Sequence, residues 1–280
     1  MRLSQNLASL NIYKEQSKIL NKQSTSLGRI SSGIKANKAK DDPNAIAQSE
    51  RFRMQIRGAQ MASRNVQDGI SMLQTFDGAL GSINEMLIRV RELAVKAGNG
   101  TNSLEDKKII QNEIDQLMKG IDDVAAYTEF NGIKLIGYDK VMNNDAPVMK
   151  DMPVGNNPDE KVQIPMYDLS SSKLLGIINV TDSNGIDSAI ESIDKAINMV
   201  TSISSKYGAL ENRFESSYEN LNEISDKMQS AESSVRDVDI AEEMIEFAKN
   251  NILIDAGNAL MAQTNKFPQE ILRILENVRG

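Results

Sequence analysis

The chain contains no cysteine and no histidine. That excludes thiolate nucleophiles, disulfides, Cys/His zinc sites and every histidine-dependent triad. A carboxylate-only cation site stays open. A cysteine-free chain suits any redox compartment, so the absence gives no cellular address. Tryptophan is missing and aromatics are only 4% of residues. Packing therefore falls to Ala, Leu, Ile and Met, beside helix-compatible Glu, Lys and Gln. This composition favours long helices over an all-β core. No run of about 18 apolar residues occurs, so no membrane span is expected. Met1-Arg2-Leu3-Ser4-Gln5-Asn6 lacks the apolar stretch and cleavage site of a secretory leader, so any export is expected to use another route. Basic blocks are absent too. The net charge is -7 and the pI near 4.9, with charge spread along the chain. Nucleic-acid partners need clustered Lys and Arg and are not expected.

What is present is helical periodicity, in 280 residues with 40% apolar content and a mean hydropathy of -0.38. That length suggests one to three domains. Leu3, Leu7 and Leu10, then Leu20, Leu27, Ile30 and Ile34, are spaced as a seam for a partner helix. Gly33 is placed to cap that helix. Residues 35–42 read as a linker, and Asp42-Pro43 as a helix start. From there Phe52, Ile56, Ala59, Ser63, Val66, Ile70, Leu73, Asp77 and Leu80 alternate steps of four and three. Ile83, Leu87, Val90 and Ala94 continue the pattern. No proline interrupts residues 44–97, and Gly98-Asn99-Gly100 stops the helix. Such a rod is roughly 80 Å long and implies a coiled coil or elongated bundle.

Ser103 starts the next helix, with Glu105 and Asp106 suited to its dipole. Ile110, Ile114, Leu117, Ile121 and Val124 form its stripe, and Phe130-Asn131-Gly132 is expected to end it. The short connection makes it antiparallel to the long helix. Four of the six prolines lie within 133–181, where residues 148–154 and 161–169 read as a β-hairpin around a long turn. Ile186, Ile190, Ile193, Ile197, Val200, Tyr207, Leu210, Phe214, Leu221, Met228 and Val235 mark a third long helix. A final helix covers Ile240–Val278, with a kink or break expected at Pro268. The layout predicts a mainly α fold, an elongated helical bundle or coiled coil with a small β-hairpin region. Residues 1–42 and 238–280 would pair as an inner coiled-coil domain. Residues 43–237 would form the core bundle, with 137–184 as its hairpin region.

The last helix carries two apolar stripes. Ile245, Ile252, Ala256 and Leu260 fall on one side, with Phe247, Ile254 and Met261 roughly opposite. One partner helix cannot bury both. Leaving three large apolar side chains in water forgoes several kcal/mol, at about 1.5–3 kcal/mol each. One stripe is therefore expected to meet the N-terminal helix, and the other a neighbouring molecule. Double substitution of Phe247 and Ile254 by Asp is expected to act on assembly rather than on the lone chain. Asp41-Asp42, Asp122-Asp123 and Asp237/Asp239 read as caps and solvated faces rather than catalytic pairs. Asn99-Gly100-Thr101 and Asn179-Val180-Thr181 match a glycosylation pattern that is not expected to be used. The fourteen methionines read as core filler. No catalytic, cofactor-binding or metal residues are expected.

Several ordered segments resemble the bacterial flagellin family. They are Arg29-Ile30-Ser31-Ser32-Gly33-Ile34 through Asp41-Asp42, Leu87-Ile88-Arg89-Val90-Arg91-Glu92-Leu93-Ala94-Val95, and Thr128-Glu129-Phe130-Asn131-Gly132-Ile133-Lys134-Leu135. Asp237-Val238-Asp239-Ile240-Ala241-Glu242-Glu243-Met244 and Ala259-Leu260-Met261-Ala262-Gln263-Thr264-Asn265 follow, with Pro268-Gln269. The resemblance spans about residues 1–136 and 185–280. It implies a homopolymeric filament subunit for motility, secreted through the flagellar type III apparatus and assembled at the filament tip. Its ends would be disordered in the free subunit and form the filament's inner coiled coil. The implied partners are other subunits, hook-associated junction and cap proteins, and an export chaperone on the C-terminal helix. A Toll-like receptor is also implied, with Arg89, Leu93 and Glu113 at the matching positions. Lys96 stands where the family has Gln. Gly28–Glu50 resembles an epitope sensed by plants, departing at Pro43, Asn44, Ala45 and Gln48. Without large outer domains, the filament would be thin. Polymerisation is assigned to Leu3, Leu7, Leu10, Leu20, Leu27, Ile245, Phe247, Ile252, Ile254, Leu260 and Met261. The competing readings are a hook–filament junction protein, a generic coiled-coil secretion or adhesion protein, and an enzyme. A metalloprotease insert would need histidine, which the chain lacks.

Overall fold

The computed structural model describes residues 6–134, 136–137, 141, 144, 146–157 and 159–278. In chain order the elements are α1 (Leu7–Ser32), α2 (Pro43–Ala97), α3 (Leu104–Tyr127), β1 (Glu129–Phe130), β2 (Ile133–Lys134), β3 (Val148–Pro153), β4 (Lys161–Met166), α4 (Ser171–Leu174), α5 (Ser183–Arg236) and α6 (Ile240–Val278). The fold is mainly α, with small hairpins. It divides into two compact units, one of residues 1–54 and 227–280, the other of residues 55–226. The division falls inside α2 and α5 rather than at the expected boundaries near 42 and 238.

Local chemistry sets the helix ends. Asp42 Oδ1 accepts from the Asn44 and Ala45 N–H groups, both at 3.0 Å, and Pro43 opens α2 with a residue that needs no donor there. Ser103 and Asp106 form a reciprocal capping box on α3. Its Asp106 carboxyl, accepting from Ser103, is held below the usual carboxylate range. Asp239 Oδ1 accepts from Ala241 N–H at 2.8 Å and caps α6. Gly33 ends α1 at φ 69°, a left-handed conformation that glycine adopts without a Cβ clash. Two of the three acidic clusters thus supply caps for these helices. Both glycosylation-like triplets are turns instead, with Asn99 Oδ1 accepting from Thr101 N–H and Asn179 Oδ1 from Thr181 N–H.

In the unit of residues 55–226, the buried side of α2 includes Ala59, Ala62, Val66, Leu73, Phe76, Leu80, Ile83, Leu87, Val90 and Ala94. The sequence stripe was displaced on one column. Phe76 fills the core where Asp77 was expected, and Asp77 instead accepts from Ser204 Oγ at 2.8 Å on the exposed rim. Likewise Ser63 reaches Asn222. A charged or hydroxyl group stays where water can replace its partner. On α3, Ile110, Ile114 and Ile121 are buried. Arg89 meets Glu113 at 2.9 Å, as the antiparallel α2–α3 arrangement requires. From α5, Ile193, Val200, Tyr207 and Phe214 complete the core.

Helix α3 ends at Tyr127, before the predicted Phe130-Asn131-Gly132 stop. Those residues form a hairpin, with Phe130 paired to Ile133. Asn131 at φ 50° and Gly132 at φ 74° make a tight turn that matches strand twist. The larger hairpin pairs Val148 with Met166 and Pro153 with Lys161. Each of its strands has a free edge, which tolerates Pro153 and Pro165. Side chains fasten the following segment to the bundle. Asn144 Oδ1 accepts from Asp168 N–H, and its Nδ2 donates to the same residue's carbonyl. Asp122 accepts from Ser171 N–H and Oγ. Gln111 accepts from Val180 N–H and donates to Ile178 O. Of the kink or break expected at Pro268, the break does not occur, and α6 carries on to Val278.

Candidate assembly surface

In the unit of residues 1–54 and 227–280, α1 lies antiparallel along α6. The shielded α1 positions are Ser9, Ile12, Gln16, Ile19, Gln23, Ser26 and Ile30. Their steps of three and four never slip, which is a heptad seam. On α6 the matching positions are Glu243, Phe247, Asn250, Ile254, Gly257, Met261 and Thr264. About half of these residues are polar. Gln16 Nε2 donates to Asn258 Oδ1 at 2.5 Å, and Gln23 Nε2 donates to Asn251 Oδ1. Arg29 approaches Glu243 at 3.6 Å. Beyond the pair the two linkers meet, with Lys35 N–H donating to Arg236 O at 2.7 Å and Val238 N–H to Gly33 O at 3.1 Å.

The leucine seam therefore does not face α6. Leu7 is 67% exposed, and Leu10, Leu20 and Leu27 also lie open. Leu3 lies outside the described residues. On α6, Ile245, Ile252 and Leu260 are exposed, while Phe247, Ile254 and Met261 are half-buried toward α1. The two stripes are real, but the expected division of labour is reversed. Phe247 and Ile254 belong to the internal pair, and Ile245 and Ile252 look outward. Glutamine, serine and asparagine at the true seam hid it from an apolar count. Among the described residues of this unit, Ala36 is the only buried apolar one, beside buried Gln16, Ser26, Ser49, Glu243 and Asn250. Covering only Leu7, Leu10, Leu20, Leu27, Ile245, Ile252, Leu260 and the likewise exposed Phe267 would release on the order of 10 kcal/mol.

The sequence of these segments has relatives. Residues 3–138 match the bacterial flagellin N-terminal helical region, and residues 190–275 the bacterial flagellin C-terminal helical region. A flagellin from Halalkalibacterium halodurans is 37% identical over 278 residues, covering 98% of this chain and all of the relative. The chain belongs to the bacterial flagellin family. A Bacillus subtilis flagellin is 38% identical, again across 98% of this chain. A flagellar filament 31.3 kDa core protein of Treponema maltophilum is 35% identical over 91% of it. A solved structure described as a flagellar hook-associated protein of Vibrio parahaemolyticus shares the fold, with a TM-score of 0.59, 14% identity and coverage of 70% of this chain and all of that one.

This flagellin is a structural subunit of the flagellar filament, not an enzyme. Its Arg89 and Glu113 are brought together on an exposed face, with Glu92 also within 3.0 Å of the guanidinium. These carboxylates raise the Arg89 pKa above its ordinary value. Leu93, the third residue of that set, is only 1% exposed. Among the described residues no helix is long and apolar enough to cross a membrane.

Proposed function

We propose that this flagellin builds the inner coil of its filament from α1 and α6, with the exposed apolar residues of both helices closing onto neighbouring copies. The observation that carries this reading is the inversion in the terminal unit. Leu7, Leu10, Leu20, Leu27, Ile245, Ile252 and Leu260 point away from a seam that is half polar. A lone α1–α6 pair thus has little to hold it, since helix stability in water comes mainly from a buried apolar face. The pair becomes favourable when other subunits cover the outward positions. Phe247, Ile254 and Met261 then support the pair from within. Subunits whose ends order only on incorporation are suited to export in unfolded form through a narrow apparatus, with a chaperone shielding the apolar C-terminal helix. Addition at the filament tip, outside the cell, follows, between the junction and cap proteins. The short 137–184 region suits a thin filament.

Replacing Ile245 and Ile252 together by Asp tests the reading. Seeded growth followed by electron microscopy should show no filaments, while the melting temperature of the free chain is unchanged. Normal filaments would refute it. Removing residues 1–42 or 238–280 should likewise abolish assembly and leave a helical core. The receptor reading narrows to Arg89 and Glu113, because Leu93 supports that face from beneath. Arg89→Ala should weaken Toll-like receptor binding in a titration, and equal binding by both chains would remove this role.

A further inference from the structure

We propose that Asn6 supplies from α1 the hydrogen bond that Pro268 withholds from α6, and that this clasp fixes the register of the inner helix pair at its free end, away from the linkers. In an α-helix each carbonyl accepts from the N–H four residues on. For Thr264 that residue is Pro268, which has no N–H. Asn6 Nδ2 donates to the Thr264 carbonyl at 3.1 Å and lies 3.4 Å from Asn265 Oδ1. The same side chain caps α1, its Oδ1 accepting from Ser9 N–H at 3.1 Å. One amide therefore starts α1 and repairs α6.

Arg29–Glu243 and the backbone bonds of Lys35 and Val238 hold the linker end of the pair, but toward the free ends the glutamine–asparagine pairs cannot fix the register alone. Gln16 pairs with Asn258, and Gln23 with Asn251. The two glutamines are one heptad apart, and so are the two asparagines. A slip of one heptad would set Gln16 against Asn251, the same chemistry in a new place. The Asn6–Thr264 bond has no such duplicate, because Pro268 is the single proline in the sequence of α6.

The clasp rests on the polymer reading above and adds the residue that holds its register at the free end. The test uses the full chain with Asn6→Ser, which keeps a capping oxygen but loses the donor, with Pro268→Ala, which restores the missing N–H, and with both. Losing one hydrogen bond should raise the critical concentration for seeded growth about fivefold. In the Pro268→Ala background the same change should raise it less than about twofold. An equal rise in both backgrounds overturns the clasp. A second arm uses Asn6→Cys with Asn265→Cys, in a chain that has no other cysteine. A short bis-maleimide should cross-link the filament within each subunit. Links solely between subunits, or none, overturn the clasp. The polymer reading fails differently, by filaments forming without residues 1–42.

Discussion

Between Ala59 and Ala97, α2 buries residues at alternating steps of three and four, all of them apolar or glycine. Between Ser9 and Ile30, α1 shields residues at the same steps, yet Ser9, Gln16, Gln23 and Ser26 take up more than half of them. The two units share a geometry and differ in what fills it. Spacing decides which face meets a partner, and content decides whether that partner suffices. The unit of residues 55–226 completes itself. The terminal unit has a seam that specifies a mate and an outer surface that asks for more.

The largest expected effect follows from this contrast. Phe214 is fully buried on α5, and Phe214→Ala should cost about 3–5 kcal/mol, read as a lower melting temperature by circular dichroism. Ile254→Ala, half-buried in the α6 seam, should leave that melting transition in place while hindering filament growth. If the two substitutions lower melting equally, the units do not differ as described.

This contrast also explains what the sequence disclosed. The long helices were legible because α2 and α5 carry apolar residues at helical spacing for many turns without proline. The caps at Asp42 and Ser103 were legible from residue type and position. The α1–α6 seam was not, because Gln16, Gln23 and Asn250 are invisible to a search for apolar repeats, while the conspicuous leucines point elsewhere. Asn131-Gly132 reads as a helix end after the α3 stripe, although the same dipeptide is a strong hairpin signal. Pro268 reads as a kink or break of α6, and nothing local reveals that Asn6, at the other end of the chain, engages the freed carbonyl. Contacts of this kind depend on partners distant in sequence.

A smaller effect is expected at Asn250, which is 1% exposed with its Nδ2 unpaired. A buried donor without an acceptor costs about 1–3 kcal/mol. Asn250→Leu should raise the temperature at which filaments dissociate, since it removes that cost and adds apolar area to the seam. A lower dissociation temperature would show that the amide finds an acceptor in the assembled state.

Tyr207 sharpens the comparison from the other side. Its hydroxyl donates to Pro165 O at 2.8 Å, and burial, aided by neighbouring Tyr167, pushes its pKa well above the usual value. The neutral form is favoured in the folded state. Its stabilisation is complete below the unfolded pKa of about 10 and is lost as pH rises from there through the folded pKa. Tyr207→Phe should cost about 1 kcal/mol at neutral pH and flatten the alkaline limb of the melting curve. An unchanged limb would assign alkaline unfolding to other groups.

The smallest effect concerns the rim. Arg89 bridges Glu92 and Glu113, but all three side chains are about half exposed. Water and salt screen such pairs, and holding long side chains in one geometry costs entropy that offsets the attraction. Leu87 and Val90 of α2 and Ile114 of α3 already belong to one hydrophobic core, each with no exposed surface. Arg89→Ala should therefore leave melting of the free chain unchanged at both low and high salt. That null result gives the substitution its use. Any change it makes to filament growth must arise where Arg89 meets another molecule. A clear drop in melting at low salt would instead show that the rim helps hold the unit together, and the contrast between a self-sufficient core and an exposed rim would need redrawing.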